Sequence, residues 1–313
     1  MRVSVVIPTY NRAGTILTAV ESALAQRFRA LEVVVVDDGS TDDTTERLAK
    51  VHDARLRCIR GRHAGVSAAR NLGVQQAGGE LIAVLDSDDA WMPHKLEHEV
   101  AFLDAHPEAD AVFSDLQKRD GHRVVPSFMR ETSVFARLIA RRARPDGILL
   151  GQREMFLCLL EEVPIKPSAL VVRRAAFLEA GGFDETWSSS EDWEFLLRFA
   201  RARRFGYVDR PLAMLTISPD SLHRVDQARG EHAMIRLLAH EHRRLRRDIA
   251  ARSAARRGLV TRVKHLGWHH GDAGRWRDAA RVYLRGFGLT GDLGLLARAL
   301  VSLATASPSA RAA

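Results

Sequence analysis

Between residues 3 and 113 the chain alternates two apolar patterns. Short unbroken runs, Val3–Ile7, Leu31–Val36, Leu56–Ile59, Leu81–Leu85 and Ala109–Phe113, read as strands buried on both faces. Between them, apolar residues recur at helical spacing. Ile16, Leu17, Val20, Ala23 and Leu24 predict a helix over 13–26, small residues predict one over 65–77, and Pro93 opens another to about Ala105. Thr41 is placed to cap a helix through about His52, with Asp42 and Asp43 in its first turn. Strand–helix alternation with continuous apolar strands predicts an α/β fold, Rossmann-like, with a mainly parallel sheet flanked by helices on both faces.

Beyond residue 113 the pattern changes. From Asp115 to Glu162 the chain reads as irregular, basic and variable. Order returns at Pro167–Val172, then a helix to about Ala180, a second helix from about Glu191, and a strand pair over Phe205–Leu215. From about Asp226 the spacing is helical throughout. His269–Trp276 forms a turn between two amphipathic helices, as in a tetratricopeptide hairpin, and residues 304–313 read as frayed. Two domains are predicted, an α/β domain over 1–225 and a basic helical extension over 226–313.

The polar residues matter most where the strand runs stop. Thr9-Tyr10-Asn11-Arg12, Asp37-Asp38-Gly39-Ser40 and Asp86-Ser87-Asp88-Asp89 each follow an apolar run. In a parallel sheet these clusters converge beyond the carboxyl ends of the strands, where α/β sheets bind ligands. Carboxylates crowded at Asp86, Asp88 and Asp89 repel one another and lose hydration, which a hard divalent cation relieves. A solvated turn using aspartate as a loop and cap residue explains the same composition, and it is the convergence of the three clusters that favours the cation.

Length and charge narrow the partners. At 313 residues there is room for one large domain and an appendage. Cys58 and Cys158 stand far apart, with neither disulfide-framework nor zinc spacing, so a reducing cytoplasmic setting is expected. Met1–Pro8 reads as a strand rather than a signal peptide, and no apolar run approaches a membrane span. The net charge of +8 is unevenly spread: residues 1–225 carry 30 Lys and Arg against 32 Asp and Glu, residues 226–313 carry 17 against 7. An excess of +10 in the last 88 residues marks either a solvated arginine-rich face or peripheral contact with an anionic membrane, at the inner face of the cell membrane. No nucleic-acid partner is expected.

Six segments in order, Val3–Arg12, Val35–Asp42, Gly65–Gly73, Leu85–Asp89, Gly181–Glu185 and Glu191-Asp192, resemble the motifs of the family-two inverting glycosyltransferases, whose nucleotide-sugar domain has the GT-A fold. The resemblance covers roughly residues 1–217. It implies a nucleoside diphosphate sugar donor, commonly a uridine one, and a carbohydrate, lipid-linked or protein-linked acceptor. Pro8, Thr9, Tyr10 and Arg12 would surround base and ribose, Asp38 would accept from the uracil N3–H, and Arg70 would lie near base or diphosphate unless it simply pairs with Asp38 or Asp86. Asp86-Ser87-Asp88 matches the Asp-x-Asp motif: Asp88 would bind Mg2+ or Mn2+, Asp86 would hold ribose or a metal-bound water, and Asp89 would join the metal or cap the next helix, with capping preferred. Asp192 would act as the base, with Glu191 as the fallback, although both also suit an acidic helix N-terminus. Gly182, Phe183, Asp184 and Trp187 would meet sugar or acceptor. Where many relatives carry a histidine after the last strands this chain has Ser218, and His223 is the nearest substitute as a metal-side group. Rival readings are a nucleotidyltransferase, for which Thr9–Gly14 is a poor phosphate loop, and a catalytically degenerate scaffold on anionic membrane or nucleic acid.

Overall fold

The computed structural model describes residues 1–142, 144, 146–217 and 227–306. The chain divides into two compact units, Met1–Phe156 with Val163–Pro219, and Leu157–Glu162 with Asp220–Ala313. The boundary expected at 225 lies outside the described residues, as do Ser218 and His223.

The first unit is built on one ten-stranded sheet. Strands β1 (Val3–Thr9), β2 (Leu31–Asp37), β3 (Leu56–Arg60) and β4 (Leu81–Val84) lie side by side and parallel, in the order β3-β2-β1-β4. Their residues alternate between two helical layers, as a period of two requires. Val3, Val5, Ile7, Val33 and Val35 pack with Ile16, Ala19, Val20 and Ala23 of α1 (Ile16–Leu24), whereas Val34 and Val36 pack with Ala69 of α3 (Val66–Gln76) on the other face.

Past β4 the sheet continues with β9 (Leu170–Arg173), β6 (Ala111–Asp120), β10 (Phe205–Ile217) and β5 (Ala90–Trp91). Strand β9 is antiparallel to both β4 and β6, so β1–β4, β6 and β10 run one way, and β9 and β5 oppose them. Two further short strands, β7 (Arg123–Val125) and β8 (Ile148–Leu149), pair antiparallel with β6 and β10.

Three expectations change here. The described residues of 115–162 hold regular elements: most of β6, β7, a 3-10 turn at Met129–Glu131, α5 (Val134–Ile139), β8 and α6 (Gln152–Leu159). Two of the strands, β7 and β8, are only three and two residues long, and Asp115 anchors the turn at 127–129 by accepting from Ser127 Oγ (2.5 Å) and the Met129 amide (3.0 Å). The expected strand pair at 205–215 is one 13-residue strand, β10, whose pairing with β6 shifts register between Val208, Pro211 and Ala213. Those irregularities accommodate Pro211, which has no N–H for a regular ladder. Finally, Thr41 caps no helix; α2 is the short segment Thr44–Leu48, and Asp42 accepts from the Thr44 amide (3.0 Å) and from the Ala13 amide (3.0 Å). The remaining helices of this unit are α4 (Lys95–Ala105), α7 (Arg174–Glu179) and α8 (Glu191–Phe199).

The second unit is helical. Its elements are α9 (Gln227–Arg244), α10 (Ile249–Asp272), α11 (Trp276–Thr290) and α12 (Leu293–Thr305), with the expected hairpin turn between α10 and α11. Small residues on α10 let its neighbours approach closely: a Cβ on Gly258 would stand 2.2 Å from the Leu160 carbonyl, which explains why 157–162 belongs to this unit. Arg257 fastens the same segment through Nε to Glu161 Oε2 at 2.8 Å.

Candidate active site

Register alone brings the strand-end clusters together. Thr9 pairs with Asp37, and Val6 pairs with Val84, so Asp86 follows at the level of Pro8. Within this edge Thr9 is buried with a hydroxyl that has no hydrogen-bond partner, while Tyr10 is exposed and its ring lies 4.4 Å from that of His63. Arg12 is partly exposed and its amide donates to Thr44 Oγ1 at 2.9 Å. Asn11, at φ +49°, completes the turn by donating its amide to Ser40 Oγ (2.9 Å) and accepting from the Thr41 amide (2.8 Å).

Asp37 and Asp38 are both buried but differ in what they hold. Asp37 accepts from the Ser40 amide (2.9 Å) and from Thr45 Oγ1 (2.8 Å), closing its own turn. Asp38 reaches across to the loop after β3, accepting from the Ala64 amide (2.9 Å) and the Gly65 amide (2.7 Å). Residues 61–65 therefore form a wall beside the Asp38 carboxylate, the group expected to meet a base. That wall was not legible, because its contribution is backbone.

Arg70 is the centre of the site. It is 3% exposed, and its Nη2 donates to Asp86 Oδ1 (2.7 Å) while Nη1 donates to Glu191 Oε1 (2.8 Å). The guanidinium lies over the Phe183 ring at 5.1 Å, and Nε has no partner. Burial opposes its charge, but Asp86 and Glu191 outweigh burial and hold it protonated above its ordinary value. Of the two pairings weighed for Arg70, the structure contains the one with Asp86 and not the one with Asp38. Burial raises Glu191 above the usual carboxylate range, Arg70 offsets part of this, and the neighbouring Asp192 adds to it. Asp192 itself is partly exposed and accepts a short-range bond from the Trp193 amide (2.8 Å). The two carboxylates at the start of α8 thus differ in partners: Glu191 is ion-paired with Arg70, and Asp192 accepts from the Trp193 amide.

Asp86 and Asp88 are partly exposed, Ser87 is buried, and Asp89 is 2% exposed. Asp89 Oδ2 accepts from Ser168 Oγ (2.5 Å) and Oδ1 from the Thr216 amide (3.0 Å). Ser168 also accepts from the Asp86 amide (3.1 Å). Burial, then the charges of Asp86 and Asp88, push Asp89 well above the usual carboxylate range. The preferred expectation that Asp89 caps the following helix is corrected: α4 begins only at Lys95, and Asp89 instead ties the end of β4 to the segments before β9 and at the end of β10. With both oxygens engaged it is also poorly placed as a metal ligand. Among the described residues no three or more His, Cys, Asp or Glu side chains are grouped to hold a metal ion by themselves.

The segment expected to touch sugar or acceptor is assembled by a residue that was not singled out. Asn71, next to Arg70 on α3, accepts from the Phe183 amide (2.9 Å) and donates through Nδ2 to the Phe183 carbonyl (2.8 Å) and Glu185 Oε1 (2.9 Å). Gly182, at φ +64°, sits against it, and a Cβ there would stand 2.7 Å from Asn71 Oδ1. Phe183 is corrected from sugar contact to core: it is 3% exposed and its ring packs against Phe177 (5.5 Å) and Phe195 (4.8 Å). Asp184 is occupied with Thr186, accepting from its amide (2.9 Å) and hydroxyl (2.7 Å), bonds that lower it below the usual carboxylate range. Trp187 is partly buried beside it, its amide donating to the Asp184 carbonyl at 3.2 Å.

A Rossmann-like sheet, an acidic cluster at the end of its fourth strand and a second acidic pair opening a later helix define the GT-A fold. The same architecture recurs in S. aureus TarS: residues 1–349 of that protein superpose with a TM-score of 0.64 at 22% identity, over 99% of this chain and 91% of that one. Two family models match in succession, "Glycosyl transferase family 2" over residues 4–159 and "Glycosyltransferase like family 2" over residues 146–249. The chain belongs to the family-2 glycosyltransferases. Among curated relatives, the Escherichia coli UDP-Glc:alpha-D-GlcNAc-diphosphoundecaprenol beta-1,3-glucosyltransferase WfaP is 41% identical over 103 residues, 33% of this chain and 41% of WfaP. The Rhizobium meliloti succinoglycan biosynthesis protein ExoO is 47% identical over 104 residues, 33% of this chain and 30% of ExoO. These matches span well under two thirds of the relatives' lengths. No helix among the described residues is long and apolar enough to cross a membrane.

Proposed function

We propose that this protein transfers a sugar, with inversion, from a uridine diphosphate sugar to a hydroxyl of a carbohydrate acceptor in polysaccharide or related glycoconjugate assembly. The observation that carries the reading is Arg70: one buried guanidinium joins Asp86, at the end of β4, to Glu191, the neighbour of Asp192 in sequence. Donor-side and acceptor-side groups are thereby held in one frame. Support for uridine comes from TarS, whose 1–349 fragment has been solved with UDP and with UDP-GlcNAc, and from WfaP, whose name specifies UDP-Glc. The WfaP acceptor is a diphosphoundecaprenol-linked sugar, so a lipid-linked acceptor, met at an anionic membrane face through the basic helical unit, is the acceptor class we favour.

In this reading Asp88, with Asp86, holds a Mg2+ or Mn2+ ion. The donor set fits: both are partly exposed oxygen ligands, and such ions take one or two carboxylates and complete their shell from substrate phosphates. When bound, the cation stabilises negative charge on the departing diphosphate. The chain's own residues do the rest. Asp38 and the 61–65 loop frame the base, Tyr10 offers an exposed ring beside it, and Asp192 takes the proton from the acceptor hydroxyl as its oxygen attacks the anomeric carbon. Glu191 keeps Arg70 in place rather than sharing the proton transfer.

The test is a panel of nucleotide sugars assayed for UDP release with Mn2+ or Mg2+. Asp192→Asn should lower turnover at least about a hundredfold, the scale of a lost general base, while UDP binding stays close to wild type. Turnover unchanged in Asp192→Asn removes it as the base, and metal-independent UDP binding in wild type removes the cation.

A further inference from the structure

The helical unit has one end that is unlike the rest of its surface. At the turn from α9 to α10, Arg243, Arg244, Arg246, Arg247 and Arg252 are exposed, and Ile249 stands among them 83% exposed. The start of α12 is brought to the same end. Arg256 lies two turns along α10 from Ile249, and it donates to the Thr290 carbonyl at 2.7 Å and pairs with Asp292 at 3.5 Å. Leu293 follows, 72% exposed, and α12 then runs away from this end, since its Leu295 meets Val263 of α10 at Gly286 of α11.

The acids at this end are Glu241, buried on α9, and the two helix caps Asp248 and Asp292. Asp248 accepts from the Ala251 amide (3.0 Å) and Asp292 from the Leu295 amide (3.2 Å), each capping its helix, and Asp292 also pairs with Arg256. Asp272 and Asp278 sit at the opposite end, around the α10–α11 turn. Against Arg243, Arg244, Arg246, Arg247, Arg252 and Arg256, the three acids Glu241, Asp248 and Asp292 leave a net charge of +3 at this end.

We propose that this end is a membrane-docking tip, in which Ile249 and Leu293 enter the headgroup layer of an anionic bilayer while the surrounding arginines meet its phosphates. The proposal rests on, and deepens, the reading of a membrane-linked acceptor, by naming the groups that make the contact. A polyanion such as nucleic acid would reward the arginines but gives no reason for large aliphatic side chains exposed between them, whereas a lipid surface rewards both. Each arginine brought to an anionic surface contributes about fivefold in partitioning, so a cluster of this size suffices for reversible attachment without a spanning helix.

The experiment is co-sedimentation of the full chain with phosphatidylcholine vesicles, with or without about 30 mol% phosphatidylglycerol, and with UDP binding measured in parallel. Wild type should sediment with the anionic vesicles and release in about 0.5 M salt. Arg244→Gln/Arg246→Gln/Arg247→Gln and Ile249→Ser/Leu293→Ser should each weaken partitioning at least about tenfold and leave UDP binding unchanged. Equal binding to neutral vesicles, or partitioning untouched by both variants, overturns the tip. So does duplex DNA or RNA bound more tightly than vesicles with the same arginine dependence, or self-association abolished by Ile249→Ser/Leu293→Ser. Vesicle binding without UDP binding leaves the tip standing and removes the donor reading; the reverse result does the opposite.

Discussion

Replacing Asn71 by alanine removes a side chain that touches neither base nor phosphate in the proposed reaction, yet the site should collapse functionally. The amide makes a two-way pair with the Phe183 backbone and a third bond to Glu185. Without it, the Phe183 N–H and C=O lose their partners beside a core aromatic, at about 1–3 kcal/mol for each buried group left unpaired. Asn71 is only partly buried, so water recovers some of this, and a net loss of about 2–3 kcal/mol follows. For a unit of this size that lowers the melting temperature by about 5–10 °C. The larger consequence is positional. Segment 181–185 leads into α8, with Arg198 Nη2 donating to the Gly182 carbonyl (2.7 Å) and Asn71 holding the Phe183 backbone. A displacement of about 1 Å at Asp192 lowers turnover roughly a hundredfold. The assay is UDP-sugar turnover with kcat and donor KM separated, beside urea denaturation. Asn71→Ala should lower kcat at least about thirtyfold with donor KM within about threefold of wild type. Asn71→Asp, which still accepts from the Phe183 amide but sets a carboxylate oxygen against the Phe183 carbonyl and Glu185 Oε1, should lower kcat at least as far as Asn71→Ala. If Asn71→Ala loses stability as stated but keeps kcat within about twofold of wild type, the clamp is structural only and does not set the position of Asp192.

The remaining predictions address other parts of the molecule. Lys95 and Glu99 form a fully buried ion pair, with Lys95 Nζ 4.6 Å from the Trp91 ring centroid. Lys95→Met should destabilise by about 3–5 kcal/mol, and Lys95→Met/Glu99→Leu should recover most of that, read by urea denaturation. Burial already raises Glu99, with Lys95 opposing, so in Lys95→Met the carboxyl binds its proton more tightly folded than unfolded. That variant should be most stable in acid, below the ordinary glutamate value, and lose stability as pH rises through the folded value; a pH-independent loss would contradict this. A Cβ on Gly61 would stand 2.9 Å from Asp38 Oδ1 and 3.2 Å from Asp38 Cα, so Gly61→Ala should weaken UDP binding roughly tenfold, about 1.4 kcal/mol, by calorimetry, while the denaturation midpoint changes little.

Much of the site was legible because its carboxylates sit where apolar runs stop, and parallel pairing then forces those stops to one edge. Arg70 was recognisable as a charged group near Asp86, but its second partner, Glu191, is 121 residues away and no local pattern links them. Asp89 illustrates the same limit. From sequence it is one of three adjacent acids; its partners Ser168 and Thr216 lie 79 and 127 residues downstream and give it a different task from its neighbours. Phe183 was expected to meet sugar or acceptor on the strength of the family resemblance, whereas the aromatic cluster with Phe177 and Phe195 takes it into the core. The stretch 115–162 failed for a simpler reason, since strands of two or three residues carry no readable alternation.

The insertion of β9 between β4 and β6 has a consequence for how the molecule is made. After residue 84 leaves the ribosome, β4 has a partner on one side only, and its other edge stays open until residues 170–173 arrive to pair with it. At about 5–20 residues per second that interval is roughly 5–20 s, during which an apolar strand edge is available to other chains. The same delay governs competence, because the Asp86 amide rests on Ser168 and the Arg70 guanidinium on Glu191. Nascent chains stopped short of residue 191 should therefore depend on chaperones and bind no donor, and the capacity to do chemistry should switch on late, in one step, once α8 has docked.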